Sequence, residues 1–204
     1  MIKALIFDLG RVLVNVDYAE GYARMAERSG LAPGEIQRRF EASNLLVPYE
    51  TGSLTSAEFA ARVCDLLGVT MSFEEFGELW YSVFHQGAIV SEELLAALHA
   101  RYRMVLLSNT SELHFVMLRE RLPQLRHFDA YTLSYEVHAH KPAEAIYRDA
   151  VAKAGCAAGE CFFTDDVEAY VAAARALGLQ AQVFQGVEKL KSDLREAGVE
   201  LLAA

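Results

Sequence analysis

Five short apolar runs, each bounded by polar or turn-forming residues, limit the folds that this chain can adopt. Runs of this length and composition are typical of strands that are buried on both faces of a parallel sheet. They are Lys3–Phe7, Arg103–Ser108, Ala130–Ser134, Cys161–Thr164 and Ala181–Phe184. Segments with apolar residues at helical spacing alternate with the last four runs; these are Glu112–Leu122, Ala143–Ala154, Val167–Leu177 and Glu188–Ala197. The alternation predicts an α/β fold with a doubly wound parallel sheet.

The stretch between the first and second runs departs from this alternation. It contains helical patterns and no run with the character of a buried strand. The patterns are Tyr18–Ser29, Pro33–Ala42, Thr55–Leu67 and Ser72–Phe84. A helical block inserted directly after the first strand predicts a second, smaller domain. We therefore expect an α/β core formed by residues 1–15 and 91–204, and an α-helical bundle formed by residues 16–90 that acts as a cap.

Composition and charge narrow the classes of partner. The chain has 204 residues and a formal net charge of −9, which argues against nucleic acid and anionic membranes. Three cysteines without paired spacing favour a reducing compartment over a disulfide framework. No apolar run has the length of a membrane span or the pattern of a signal peptide. These features predict a cytoplasmic monomer or homodimer that acts on a small molecule.

Polar side chains stand where four of the predicted strands end. In an open α/β sheet, ligands bind beyond the carboxyl ends of the strands, so these side chains are candidates for one site. They are Asp8 after the first strand, Ser108 and Asn109 after the second, Lys141 after the third, and Asp165 and Asp166 after the fourth.

This set of residue types indicates phosphoryl transfer assisted by a metal ion. Carboxylates gathered at one edge repel each other unless a cation lies among them, and oxygen ligands suit Mg²⁺. Ser108 and the backbone amides that follow it would hold phosphoryl oxygens, and Lys141 would neutralise developing charge. Asp8 would attack phosphorus and form an aspartyl-phosphate that water hydrolyses.

Each residue also has an ordinary structural interpretation. Asp165 and Asp166 are suited to cap the helix that begins near Val167, and Ser108 to cap the following helix. Lys141, which precedes a proline, fits a solvated lysine at a helix start. His138 and His140 alternate beside it, either as two metal ligands or as ordinary loop residues.

The sequence resembles the haloacid dehalogenase-like hydrolases over essentially its whole length. The stretches FDLG, LLSNT, HKP and FTDD match the four motifs of that family in order and spacing. The chain is most similar to a branch of sugar-phosphate phosphatases whose first motif reads FDLG, and YETGSLTSAEF (Tyr49–Phe59) also resembles that branch. The resemblance implies a Rossmann-like core with an inserted cap. It also implies that Asp8 is the nucleophile. The ligands of Mg²⁺ would be Asp8, Gly10 and Asp165, with Asp166 as a further ligand or as a support for one. The phosphate-binding residues would be Ser108, Asn109 and Lys141.

Three positions depart from the family pattern. Gly10 occupies the place of a second aspartate that protonates the leaving oxygen, so this acid is missing. Asp17 or a residue of the cap is the alternative proton donor, and a substrate with an easily expelled leaving group, such as a hexose 1-phosphate, would need less help. Tyr170 replaces an asparagine, and His138 replaces a glycine.

The residues and the resemblance together predict a Mg²⁺-dependent phosphomonoesterase that acts on a small phosphate ester, with a sugar phosphate as the expected substrate. Two alternatives stay open. In the first alternative, the loss of an acid at position 10 makes the protein a catalytically impaired relative that binds phosphate or a partner protein. A 2-haloacid dehalogenase is the third candidate, although a metal-free site has no use for paired acids. Aromatic residues of the cap are expected in the pocket or in the core: Tyr18, Tyr22, Tyr49, Trp80 and Tyr81.

Overall fold

A five-stranded parallel sheet forms the centre of the protein. The computed structural model describes residues 1–84 and 86–201. The strands are β1 (Ala4–Phe7), β2 (Arg103–Ser108), β3 (Ala130–Leu133), β4 (Cys161–Asp165) and β5 (Gln180–Val183). Their order is β3-β2-β1-β4-β5, and every neighbouring pair is parallel. The chain therefore moves outward from β1 in both directions, which confirms the predicted doubly wound α/β fold.

Eleven α-helices lie between and around the strands in the described residues. After β1 come α1 (Tyr18–Ser29), α2 (Pro33–Ser43), α3 (Leu46–Glu50), α4 (Ser56–Leu67), α5 (Phe73–Tyr81) and α6 (Glu92–His99). After β2 come α7 (Glu112–Arg121), α8 (Ser134–Val137), α9 (Glu144–Ala154), α10 (Glu168–Ala176) and α11 (Val187–Glu196). Short 3₁₀ turns occupy Ser82–Phe84, Pro123–His127 and Ala158–Glu160.

The predicted elements are present, and most of their ends differ by at most one residue from the structure. The predicted helix Ser72–Phe84 is the exception, because α5 ends at Tyr81 and a 3₁₀ turn completes the segment. The pattern predicts none of α3, α6 and α8, and the four residues of α8 form little more than one turn. Five residues of α3 are too few to show a helical period, and α6 covers little more than two turns.

Alternate residues of the strands face two separate cores, because successive side chains point to opposite faces of a sheet. Leu5 and Phe7 of β1 face the cluster that α6, α7 and α11 cover. Ala4 and Ile6 face the cluster that α9 and α10 cover. All four side chains are fully buried, so β1 is the central strand in packing as well as in order.

The helices α1 to α5 share a third hydrophobic cluster with Phe59 at its centre. The Phe59 ring stacks on Tyr49 at 4.0 Å between centroids and meets Trp80 edge-on at 4.9 Å. Phe40 and Phe76 complete the aromatic group around it. We refer to α1–α5 and the turn at Ser82–Phe84 as the helical insert.

Hydrogen bonds to Ser111, Glu112 and Leu113 join the helical insert to the start of α7. Because α7 follows β2 directly, these bonds hold the insert over the carboxyl edge of the sheet. They run from Ser56 Oγ to Glu112 Oε2 (2.6 Å), from the Leu113 N–H to Tyr49 Oη (3.2 Å), and from Trp80 Nε1 to Ser111 Oγ (3.3 Å). None of the helices in the described part of the chain combines the length and the apolar character needed to cross a bilayer.

Candidate active site

A buried lysine bridges two aspartates that lie at the ends of adjacent strands. Lys141 Nζ lies 2.6 Å from Asp8 Oδ1 and 2.5 Å from Asp165 Oδ2. It also donates a hydrogen bond to the Leu107 carbonyl at 3.2 Å. Asp8 follows β1 and Asp165 ends β4, and these strands are neighbours, so the parallel register brings their carboxyl ends together. Three of the residues predicted for the site therefore meet at one point.

Asn109 holds the main chain of Lys141 in place. The Lys141 N–H donates to Asn109 Oδ1 at 2.8 Å, and Asn109 Nδ2 donates to the Lys141 carbonyl at 3.2 Å. The amide side chain thus links the end of β2 to the loop before α9. The ring of Tyr170 covers the lysine, with its centroid 5.2 Å from Nζ. The observed contacts of Asn109 are those of a positioning residue for the lysine.

The site holds more negative than positive charge. Carboxylate oxygens of Asp8, Asp165 and Asp166 lie within 4.8 Å of one another, and Lys141 is the cation that pairs with two of them. Burial raises the pKa of Asp8, and the neighbouring Asp165 adds to this effect while Lys141 opposes it. Burial and the Asp165 charge likewise raise the pKa of Asp166. Three carboxylates around one ammonium group suit a divalent cation with oxygen ligands.

Lys141 keeps its positive charge because of the two carboxylates. Burial on its own would lower the pKa of this lysine, but Asp8 and Asp165 raise it above the ordinary value. Proton loss would leave two buried carboxylates without a partner, which is strongly unfavourable. The arrangement therefore supplies a fixed ammonium group beside the two aspartates.

The prediction that Asp165 and Ser108 serve as helix caps is partly correct. Asp165 Oδ1 accepts a hydrogen bond from the Val167 N–H at 2.9 Å, so this aspartate organises the turn before α10 as well as pairing with Lys141. The cap of α7 is Ser111, whose Oγ accepts from the His114 N–H, and not Ser108. Ser108 is instead buried at the end of β2 and lines a cavity above the sheet.

The cavity has a volume of about 110 Å³ and lies between the strand ends and the helical insert. The core contributes polar groups at Gly10, Ser108, Asn109 and Thr110. The insert contributes mainly apolar and aromatic walls, including Tyr18, Tyr22 and Trp80 among the predicted aromatics. Of the other two aromatics, Tyr49 packs in the third cluster and Tyr81 lies against the Arg121 guanidinium at 4.6 Å.

Asp17 caps the first helix of the insert. Its Oδ1 accepts hydrogen bonds from the backbone N–H groups of Ala19 at 3.0 Å and Glu20 at 3.2 Å. Its Oδ2 accepts from Gln86 Nε2 at 3.4 Å. The described lining of the cavity does not include Asp17. Both carboxylate oxygens of this residue therefore have structural partners at the edge of the insert.

Glu50, which no part of the sequence interpretation singles out, lines the cavity from the end of α3. Its Oε2 lies 3.5 Å from His140 Nε2, and its side chain is 19% exposed. Burial raises the pKa of Glu50 to about 7. The YETG stretch contains this residue, but its position opposite the strand ends depends on the docking of the insert and has no local signal.

The histidines serve the contact between core and insert. His138 Nδ1 donates to the Thr51 carbonyl at 2.9 Å, and His140 contacts Glu50. His114 Nε2 donates to the Trp80 carbonyl at 2.8 Å, and burial lowers the pKa of His114 to about 4, so it is neutral. In the described residues, the group with metal-ligand geometry is the aspartate cluster, which argues against a histidine metal pair.

The core is doubly wound, and its strand ends bring three carboxylates and a buried lysine together beneath a helical insert. This combination is typical of one class of protein, the hydrolases with a Rossmann-like core and an aspartate-rich active site. The model of the family described as haloacid dehalogenase-like hydrolase matches residues 2–178. The chain belongs to that family, as its motifs predict, and it is a hydrolase.

Characterised relatives include a D-ribitol-5-phosphate phosphatase from Bacteroides thetaiotaomicron, 26% identical over 88% of this chain and 90% of that protein. A haloacid dehalogenase family enzyme from the same organism, crystallised with magnesium and inorganic phosphate, is 26% identical and has a TM-score of 0.81, with 91% of this chain and 96% of that chain covered. A predicted family member from Porphyromonas gingivalis shares the fold at 24% identity, with a TM-score of 0.81 and coverage of 96% and 98%.

Proposed function

We propose that the protein is a Mg²⁺-dependent phosphomonoesterase that hydrolyses a small sugar or sugar-alcohol phosphate through an aspartyl-phosphate. The observation that carries this proposal is the contact of one buried lysine with two aspartates from adjacent strand ends. A phosphatase of sugar-alcohol phosphate and an enzyme that binds magnesium and phosphate, both 26% identical, support it.

The residues present fit a magnesium ion. The Asp8, Asp165 and Asp166 carboxylates lie close enough to share one cation, and Lys141 balances only part of their charge. We assign these carboxylates and the Gly10 carbonyl as ligands. Magnesium, when bound, screens the carboxylates from the substrate phosphate and withdraws charge from it.

Asp8 is the nucleophile in this proposal. One of its carboxylate oxygens forms a bond to phosphorus while the bond from phosphorus to the leaving-group oxygen breaks, and that oxygen takes up a proton. Lys141 stabilises the charge on the phosphoryl oxygens, and Ser108 binds one of them. Water then attacks phosphorus, releases inorganic phosphate and restores the Asp8 carboxylate.

The helical insert acts as the cap that closes the site, and we assign residues 16–90 to this cap domain. It supplies most of the apolar wall of the cavity, so it excludes water from the phosphoryl group and contacts the organic part of the substrate. The small cavity volume suits a short sugar or polyol chain.

The test is release of inorganic phosphate from a panel of sugar, sugar-alcohol and nucleoside monophosphates, with and without Mg²⁺. We expect turnover that requires the ion and disappears in Asp8→Asn. Asp65→Asn, a change at an exposed residue of α4, is the matched control and should leave activity unchanged.

Phosphate binding without release by the unmodified protein would contradict the proposal and favour a binding protein. Halide release from a 2-haloacid without added metal would favour the dehalogenase.

A further inference from the structure

We propose that Glu50 is the catalytic proton donor to the leaving-group oxygen, and that His140 positions it. This inference rests on the proposed phosphatase function and names the residue that takes over the role left vacant at Gly10. Both Gly10 and Glu50 line the same cavity, Gly10 from the core and Glu50 from the insert, with Ser108 between the strand ends. Gly10 lies two residues after Asp8, so the cavity that Glu50 lines adjoins the strand end that carries the nucleophile.

The chain around Glu50 is docked on the core at each neighbouring residue. The Tyr49 hydroxyl accepts a hydrogen bond from the Leu113 N–H, and the Thr51 carbonyl accepts one from His138 Nδ1. Gly52 has φ +73°, and a Cβ at this position would lie 2.3 Å from the Tyr135 carbonyl oxygen. Such close approach is available to glycine alone. These contacts fix the end of α3 against the core and so fix where the Glu50 side chain enters the cavity.

The surroundings of Glu50 favour the protonated form that a general acid needs. The groups that face Glu50 are Tyr18 from α1 and His140 from the loop before α9. The Arg11 guanidinium lies over the Tyr18 ring, 5.9 Å from its centroid. The neighbouring ammonium group, Lys141, is directed at the two aspartates. No lysine or arginine of the described chain forms an ion pair with Glu50, and burial raises its pKa to about 7.

His140 supports the carboxyl group as a neutral neighbour. Its Nε2 is buried, has no hydrogen-bond partner in the described residues, and lies 3.5 Å from Glu50 Oε2. Burial and the nearby Lys141 charge lower the pKa of His140, so the imidazole does not pull the proton off Glu50 by charge.

The proton balance is complete within the two steps. As Asp8 bonds to phosphorus, the leaving-group oxygen separates from phosphorus and takes the proton of the Glu50 carboxyl group. The resulting Glu50 carboxylate then accepts a proton from the water that attacks the aspartyl-phosphate, which restores the acid. No further reactant is needed.

Glu50→Gln tests this role when it is assayed with two classes of substrate. A sugar-alcohol phosphate has a poor leaving group that needs a proton, whereas p-nitrophenolate leaves without one. We expect kcat/KM for the sugar-alcohol phosphate to fall about 10²–10⁴-fold and that for p-nitrophenyl phosphate to change less than about threefold. The decline of activity above pH 7 with the sugar-alcohol phosphate should disappear in the variant. Glu27→Gln, an exposed change in the same insert, is the matched control.

Retained turnover of p-nitrophenyl phosphate shows that Glu50→Gln is folded and that Asp8 chemistry continues. An equal loss with both substrates, or a selective loss in Asp17→Asn and not in Glu50→Gln, overturns the assignment and leaves the phosphatase function standing. Absence of phosphate release from every substrate by the unmodified enzyme would instead overturn the proposed function.

Discussion

Glu50→Gln has a consequence for stability that is independent of any substrate. Burial raises the pKa of Glu50 from an ordinary value of 4.5 to about 7. One pKa unit corresponds to about 1.36 kcal/mol, so ionisation of this carboxyl in the folded protein costs about 3 kcal/mol relative to the unfolded chain. Glutamine has nearly the same shape and carries no charge, so it does not incur this cost.

The direction of the change in stability with pH follows from the number of protons that the folded and unfolded states bind. Because the pKa is higher in the folded state, the folded protein binds the additional proton between pH 4.5 and 7. The stabilising contribution of the protonated carboxyl is complete below pH 4.5 and is lost as the pH rises through about 7. We therefore expect the variant and the wild type to differ little at the acidic end, and the variant to be more stable by about 3 kcal/mol at pH 8.

Urea unfolding of both proteins at several pH values, without divalent ions, measures this difference. Glu27→Gln serves again as the control, because an exposed carboxyl has no desolvation cost to lose. A difference in unfolding free energy that stays constant with pH would refute the reasoning, since it would show that the Glu50 carboxyl titrates alike in the folded and unfolded states. Removal of an active-site group whose burial destabilises the fold commonly yields a more stable and slower enzyme.

Two further substitutions address the placement of the acid. Gly10→Asp in the Glu50→Gln background should restore at least tenfold of the lost kcat/KM with a sugar-alcohol phosphate, and steady-state kinetics of the double variant checks this. Gly10 lines the cavity and has an ordinary φ, and the added Cβ would lie 3.2 Å from Val16 Cγ2, a contact that a small shift of the valine side chain relieves. Gly52→Ala should lower the free energy of unfolding by about 1–3 kcal/mol and reduce turnover. The added Cβ would collide with the Tyr135 carbonyl, and alanine would have to adopt the left-handed backbone conformation that this position requires. Urea unfolding measures the first effect and steady-state kinetics the second.

The α/β core and the residues at its strand ends could be predicted because their signals are local. A strand buried on both faces is a short apolar run wherever it occurs, and parallel strands direct their carboxyl ends to one edge. Asp8, Lys141 and Asp165 are adjacent for this reason, although they are far apart in the sequence. The positions of the motifs at the ends of predicted strands are therefore enough to predict that their side chains lie together.

The contacts of Asn109 and Glu50 could not be predicted, because they depend on which segments meet. Asn109 follows a strand and has the same local signature as a phosphate-binding residue, yet its amide holds the Lys141 main chain. Glu50 ends a five-residue helix with no periodic pattern, and its environment is made by residues from α1 and from the loop before α9. Long-range docking decides both roles.

Two of the three departures from the family pattern, Gly10 and His138, are connected through this docking. His138 adopts φ +57°, the left-handed conformation that glycine takes most easily, and in exchange its ring donates to the Thr51 carbonyl beside Glu50. Gly10 removes the acid from the core, and Glu50 supplies a carboxyl group from the insert. An acid carried by the insert reaches the leaving group only while the insert is docked on the core. Proton donation and exclusion of water would then depend on the same closure, so a poor leaving group is expelled only from a closed site.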